Sequence, residues 1–500
     1  MRLLLVAAGL FVLVPAARAA EIPVVVVPGL ELEDLQALED RAAVGLLVPG
    51  TGPETSERSA LAALVRGRLR NSLRGGLPEG DPVIRVRRAS TVPRRGPAIV
   101  LGLPRGGPQP NDRRYPVALL GRSGLLLSDS TRVPGLVSVV DVAPAALGRE
   151  GLRVERRESA VGALRQLDRR IVENRRFRHV RSLLAAGLIV LLALVFPRAG
   201  LLAFGSLLLA NLVLGIAGVS TPWIVLVSVA LAVGAVAPLL ALLLRTRLAL
   251  GLALAAVVAA YFVALAFDPT WVALSPLGPT QNGRFHGISN LLETLLLLPV
   301  LAAAAFLRRR FGLPAFAVVA ALALVTVAGG RFGADGGGAI VLAVSLGTLL
   351  VAVARPPLRV LAGGAAALVG LVLVDALAGP STHVTRSFAD GPQQVGSDVV
   401  DRLALSWERA TAGWTTGLVV ALSLLAFALL AGRIRHLPPG EGRALPLAFA
   451  GAIAVSLLVN DSPREVALGG AVGLLVAARF AAAGGVRSAA TLGAYTIPRS

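Results

Sequence analysis

The chain has 500 residues, a mean hydropathy of +0.74, 55% hydrophobic and only 16% charged residues. That composition excludes an ordinary soluble domain and describes a polytopic membrane protein. The formal charge of +20 is carried by arginine alone, since the sequence has no lysine, and the lack of cysteine excludes disulfides and cysteine metal sites. Distributed arginine of this kind reads as membrane topology and a surface for phosphate or anionic lipid, with no nucleic-acid partner expected.

Residues 1–20 read as a secretory signal: Arg2 supplies the positive start, Leu3–Val14 the apolar stretch, and Ala17-Arg18-Ala19 a small-residue cleavage pattern. Residues 21–158 are polar, arginine-rich and punctuated by Gly and Pro. Short β-like runs at Ile22–Val27, Val83–Val86, Ala98–Leu101, Val117–Leu120 and Leu136–Val140 alternate with helical patterns at Glu33–Ala43, Ser59–Ser72 and Ser159–Val172. This alternation predicts an α/β domain with a mainly parallel sheet, placed outside the cell by the signal before it. Thr55, Ser56 and Ser59 are the hydroxyls where a nucleophile would be sought, with no base nearby in sequence to activate one.

Residues 159–179 form a basic connector, with Arg165, Arg169, Arg170, Arg175, Arg176 and Arg178, then Arg181 just beyond it. It reads either as a grip on anionic headgroups or as a solvated stalk that runs into the first membrane helix. From residue 180 to 482 about eleven stretches are long enough to span a bilayer. They centre on 180–196, 199–218, 222–244, 248–267, 288–306, 313–328, 338–354, 358–378, 412–431, 444–459 and 464–482, with a long loop over 379–412 and a tail from 483 to 500. Alternate loops hold Arg198, Arg245, Arg247, Arg308–Arg310, Arg355, Arg359, Arg433, Arg435 and Arg443, while the intervening ones hold fewer arginines. The positive-inside rule then puts the N-terminal domain outside a plasma membrane and the tail inside.

This topology gathers the unusual polar segments on the outer face. Arg284, His286, Asn290 and Glu293 crowd one loop-to-helix junction; Arg331 and Asp335 lie in a glycine-rich turn; Asn460-Asp461-Ser462 joins the last two spans. Asn290 and Glu293, three apart, share a helix face, and an ionisable group inside the hydrocarbon marks a functional site. Helix capping is the plainer role for either residue alone. The expected arrangement is an outward-facing polar cavity between the fifth, seventh, tenth and eleventh spans. In it Glu293, His286 and Asp461 are the candidate acid–base groups, and Arg284, Asn290, Arg331, Asp335 and Asn460 the candidate binding groups. No metal or cofactor is expected.

Two resemblances accompany this reading. Arg284-Phe-His-Gly-Ile-Ser-Asn290, Gly333-Ala-Asp-Gly-Gly-Gly338 and Asn460-Asp-Ser462 resemble, in order, the R-F-x-G-I-x-N, G-A-x-x-G-G and N-D-S motifs of a group of uncharacterised bacterial multi-pass membrane proteins. In that group Glu commonly follows the Asn directly, whereas here Leu291 follows and the acid comes at Glu293. The segments Val24–Asp34 and Leu125–Ala145, the latter with Asp141-Val-Ala-Pro144, resemble the first strand and a late turn of the alkaline-phosphatase-like superfamily. Pro28 stands where that superfamily has a metal-binding Asp, and no His precedes His179, so the resemblance implies a metal-free, inactive domain. The functional expectation is a cell-envelope membrane protein that handles an anionic lipid- or glycan-linked substrate at its outer face, with membrane lipids as partners. A transporter or flippase for such a substrate, or a non-catalytic assembly protein, are the alternatives.

Overall fold

The computed structural model describes residues 21–493, apart from 70–71, 73–75, 79, 150, 280–284, 334–335, 355–369, 371–391, 438–439 and 461, and apart from the side chains of 392–399, 401–402, 441 and 484–493. The expected signal segment, nearly all of the 358–378 span, residues 379–391 of the expected loop and the end of the tail therefore lie outside the described residues.

The N-terminal domain is built on one sheet of eight strands. They are β1 (Val24–Val26), β2 (Ala42–Val48), β4 (Val86–Arg88), β5 (Ile99–Leu101), β7 (Tyr115–Leu120), β8 (Gly124–Ser128), β9 (Leu136–Ser138) and β10 (Leu152–Glu155). The order is β10-β8-β2-β7-β5-β1-β4, with β9 also on β2. The short strands β3 (Glu54–Thr55) and β6 (Gln109–Pro110) pair separately. Pairings of β1 with β4 and β5, and of β2 with β8 and β9, are parallel. Those of β7 with β2 and β5, and of β10 with β8, are antiparallel. The sheet is thus mixed rather than mainly parallel, because β7 enters between β2 and β5 in the opposite sense.

Side-chain alternation along the strands separates two cores. Val24, Val26, Ala43 and Leu47 face one side, where they meet Ala60 and Leu64 of α1 (Glu57–Arg66) and Val142 and Ala146 of α2 (Val139–Ala146). Val25, Val44, Leu46 and Val48 face the other, under Leu35 and Leu38 of a 3-10 turn and Leu164 and Ile171 of α3 (Ala160–Arg176). The helix expected over Glu33–Ala43 is only this turn; the chain enters β2 at Ala42, whose seven residues are all buried. Ser56 and Ser59 form a reciprocal capping box at the start of α1, so these hydroxyls serve the helix end.

The described residues beyond the domain are mainly helical. They comprise α4 (Arg178–Val195), α5 (Pro197–Ile216), α6 (Pro222–Leu243), α7 (Arg247–Phe267), the short α8 (Thr270–Ala273), α9 (Asn290–Ala328), α10 (Gly336–Ala354), α11 (Pro392–Thr411), α12 (Trp414–Arg433), α13 (Glu441–Val459) and α14 (Pro463–Gly493). Among the described residues nine helices are long and apolar enough to cross a membrane. One of them, α9, covers two of the expected spans; it is interrupted at Gly312, whose φ of 75° and ψ of −162° are not helical. This break follows Arg308–Arg310 directly, and Pro314 behind it cannot donate a helical hydrogen bond. From residue 392 to 411 the expected loop is the helix α11.

The basic connector is in part packed against the protein: Arg170 is half-buried and Asn174 and Arg178 are buried, while Arg165, Arg169 and Arg176 are exposed. Helix α3 ends at Arg176, and two of its arginines, with Arg178 at the start of α4, reach protein carbonyls. Arg170 donates to Leu274 O (3.1 Å) and Gly215 O (2.7 Å), Arg175 to Asn111 O (2.7 Å), and Arg178 to Gly278 O (3.0 Å). Fully buried Asn174 donates to Leu274 O (3.0 Å) and accepts from Arg181 (3.1 Å). The domain is thereby docked on the loop that follows α7. Ala273, Leu274 and Phe285 of that loop lie within the same apolar core as Leu35 and Leu164.

Candidate functional site

The loop between α8 and α9 is held from below as well as above. Buried Asn211, on α5, accepts from Leu277 N (2.8 Å) and donates to Ser275 Oγ and Tyr261 OH, both at 3.0 Å. The Tyr261 hydroxyl in turn donates to Leu208 O (3.1 Å). Every member of this network is buried and bonded, which the low polarity around it requires. The partners of Asn211 come from a distant helix and loop, so no local pattern in the sequence signals this network.

Two of the quoted motifs meet through their glycines. Gly287 sits at φ +76°, and a Cβ there would stand 1.9 Å from Gly333 O. Ile288 N donates to that same carbonyl (3.1 Å). Gly333 has no more room, since its own Cβ would lie 2.0 Å from Val327 O. The loop before α9 and the turn after it thus touch backbone to backbone, a contact only glycine permits. Arg132 of the α/β domain donates to the neighbouring Gly330 O (2.5 Å), which ties this turn to the domain as well.

The first turn of α9 then delivers the polar side chains. Ser289 caps the helix by accepting from Leu292 N (3.3 Å), so the cap is Ser289 and not Asn290. Asn290 Nδ2 instead donates to Ser462 Oγ (3.1 Å), at the start of α14. Glu293, 1% exposed, accepts from Asn460 Nδ2 (2.9 Å), and Asn460 also donates to Ser456 Oγ of α13 (2.8 Å). Asn460 is itself the C-terminal cap residue of α13. Close helix approach makes the convergence possible: a Cβ on Gly469 would stand 2.7 Å from Thr294 Cγ2, and one on Gly470 2.6 Å from Ile453 Cγ2.

Asn290, Glu293 and Asn460 are therefore brought together, with Ser462, at the end of the bundle that carries the α/β domain. His286 is half-buried in the loop beside them, and Arg331 is exposed in the adjoining turn. Arg284, Asp335 and Asp461 lie outside the described residues. The cluster is a packed polar seam between α9, α13 and α14. A buried carboxylate held by a carboxamide, one helical turn from a helix end, can hold a proton or bind a cationic or hydrogen-bonding group in a setting of low polarity.

The expected cavity between the fifth, seventh, tenth and eleventh spans does not coincide with the groove that carries charged residues among those described. A groove of about 660 Å³, open mouth included, lies instead between α4, α5, α9 and α14. Arg178, His179, Arg464 and Glu465 stand at its mouth, and its lower walls are apolar.

In the α/β domain, Asp141 of the Asp-Val-Ala-Pro turn is buried. It accepts from the Ser128 hydroxyl, from Ser130 N (2.9 Å) and from Ser130 Oγ (2.7 Å). Burial raises its pKa above the ordinary carboxylate value, and these hydrogen bonds oppose the shift. Its role is to close the β8–β9 turn onto α2. After β1, Gly29 turns at φ +82° against the guanidinium of Arg105, beside Pro28.

No family model matches the chain, and comparison with curated proteins and with solved structures returns no match.

Proposed function

We propose that this is a multi-pass protein of the bacterial plasma membrane whose α/β domain faces outward, and that the seam at Glu293 and Asn460 is the centre of an outer-face site. The substrate class is an anionic lipid- or glycan-linked group. One observation carries the reading: the Glu293 carboxylate and Asn290 carboxamide of α9 meet Asn460 and Ser462, at the facing ends of α13 and α14, in a bundle otherwise built of Ala, Leu, Val and Gly. An acid so placed costs a few kcal/mol, on the order of 2.5–3.5 by insertion scales, and such groups are retained where they work. Arginine bias supports the orientation, since Arg198, Arg245, Arg247, Arg308–Arg310, Arg433 and Arg435 occupy turns at the opposite helix ends. His286 lies in the loop that leads into α9 and Arg331 in the turn packed on that loop, and Arg284, Asp335 and Asp461 adjoin these segments in sequence; these are the positive and acid–base groups of the proposed site.

The test is complementation of a strain lacking the protein, with envelope lipids and glycans profiled as the phenotype. Glu293→Ala and Asn460→Ala are expected to reach the membrane at wild-type levels and fail to restore the profile. The double variant should be no worse than either single change, as for residues acting as one unit. Full restoration by Glu293→Ala overturns the proposal.

A further inference from the structure

The groove between α4, α5, α9 and α14 lies on the other side of α9 from Glu293. Leu291 and Leu295 line it, and each is two residues from Glu293, about 200° around the helix. It is therefore separate from the seam and needs an occupant of its own.

Its two ends differ in chemistry. At the mouth stand Arg178, where α4 starts, and Arg464, in the first turn of α14, with His179 and Glu465 beside them. Arg178 is buried and its orientation is fixed by the bond to Gly278 O. The N-terminal end of α14 adds its positive dipole to the same place. Below the mouth the walls are Leu183, Ala186, Ile189, Phe204, Leu207 and Val472, with nothing ionisable. From Arg178 to Ile189 the α4 wall descends about 16 Å at the helical rise. That is about half of a roughly 30 Å hydrocarbon core, the depth of one leaflet. Ala186 and Gly469 keep the walls low, and Leu183, 49% exposed, marks the side open to lipid.

We propose that this groove is a binding site for one anionic membrane phospholipid, with the phosphate between Arg178 and Arg464 and one acyl chain along Ala186, Ile189 and Val472. Charge complementarity selects the occupant: Arg178 and Arg464 outnumber the one carboxylate at the mouth, Glu465, which suits a phosphate oxyanion, and an uncharged apolar trench one leaflet deep suits a chain. Free phosphate would leave the trench empty.

The test uses the full chain in nanodiscs, with a phosphatidylglycerol that carries a diazirine in one acyl chain. Irradiation is expected to label peptides of α4, α5 and α14 around Ile189, Phe204 and Val472. Unlabelled phosphatidylglycerol should compete at least ten-fold better than phosphatidylcholine, and inorganic phosphate should not compete at millimolar concentration. Arg464→Glu should lower labelling at least ten-fold. Ala186→Trp, which fills the trench, should abolish it while the protein remains monodisperse. Labelling spread evenly over lipid-facing helices, equal competition by phosphatidylcholine, displacement by phosphate alone, or undiminished labelling in Arg464→Glu would each overturn the site. The wild-type labelling map stands even where Ala186→Trp fails to fold. Because Glu293→Ala leaves the groove walls intact, it should label normally, so failure of the outer-face seam and failure of this site are read separately.

Discussion

Replacing Asn174 by Ala should undock the α/β domain from the loop beneath it without unfolding the bundle. Asn174 is fully buried and joins two partners, donating to Leu274 O at 3.0 Å and accepting from the Arg181 guanidinium at 3.1 Å. Leu274 O keeps its second donor, Arg170, at 3.1 Å, so the carbonyl remains satisfied. Arg181 keeps only a long contact to Ser220 O at 3.4 Å. The neutral bond is worth about 0.5–1.5 kcal/mol and the charged one about 1.5–3 kcal/mol. Together they amount to about 2–4 kcal/mol of docking stability. At about 1.4 kcal/mol per decade, amide exchange of residues 268–278 should speed up roughly 30- to 700-fold. Hydrogen–deuterium exchange by mass spectrometry on nanodisc-embedded protein measures this, with peptides from the middle of α7 and α9 as internal controls. Unchanged exchange in 268–278 would refute the docking role. Equal acceleration in the control peptides would show that Asn174 supports the whole bundle instead.

Gly287→Ala should lower the yield of folded protein, because φ +76° costs an L-residue about 1–2 kcal/mol and the new Cβ would collide with Gly333 O; wild-type thermal stability in detergent would contradict the backbone contact. Single cysteines at Arg331 and Arg309 should respectively react and not react with an impermeant maleimide on intact cells, and the reverse pattern would invert the topology. Asp141→Asn should flatten the pH dependence of the α/β domain's stability. The raised pKa of Asp141 means the folded state holds its proton more tightly, so stability is fully present below the ordinary carboxylate range and declines as pH rises through the folded value. Exchange protection of residues 124–142 between pH 4 and 7 reports this, and an unchanged slope in Asp141→Asn would refute the assignment.

What could be read in advance follows from what was local. Long apolar runs bounded by arginines marked the membrane helices, since bilayer thickness sets both length and punctuation. The spacing of Asn290 and Glu293 placed them on one face, and Asn460 was singled out as polar at a helix end. Their pairing depends on how α9, α13 and α14 cross, which no local pattern encodes. Strand β2 went unseen because Ala42–Val48 is buried on both faces and shows no alternation, so it merged with the preceding turn. The arginines of α3 looked like surface residues because sequence shows charge and not its partner. Here the partners are carbonyls 45 and 104 positions later for Arg170 and 64 positions earlier for Arg175. The groove was missed for a related reason: its cations, Arg178 and Arg464, are far apart in sequence, and its trench is made by small residues that look like any others in a membrane helix.

The apolar core beneath α3 contains Ala273, Leu274 and Phe285. A ribosome adds about 5–20 residues per second, so Phe285 is made roughly 5–20 s after Arg176. During that interval the α/β domain has its strands but lacks a wall of its own core, and α4 to α7 must enter the membrane before the wall arrives. Folding of this domain is therefore completed late, by the return of the chain to the surface, and not at the moment its last strand is synthesised. A fragment ending at Arg176 would carry that uncovered apolar face permanently, which makes it a substrate for chaperones rather than a stand-alone module.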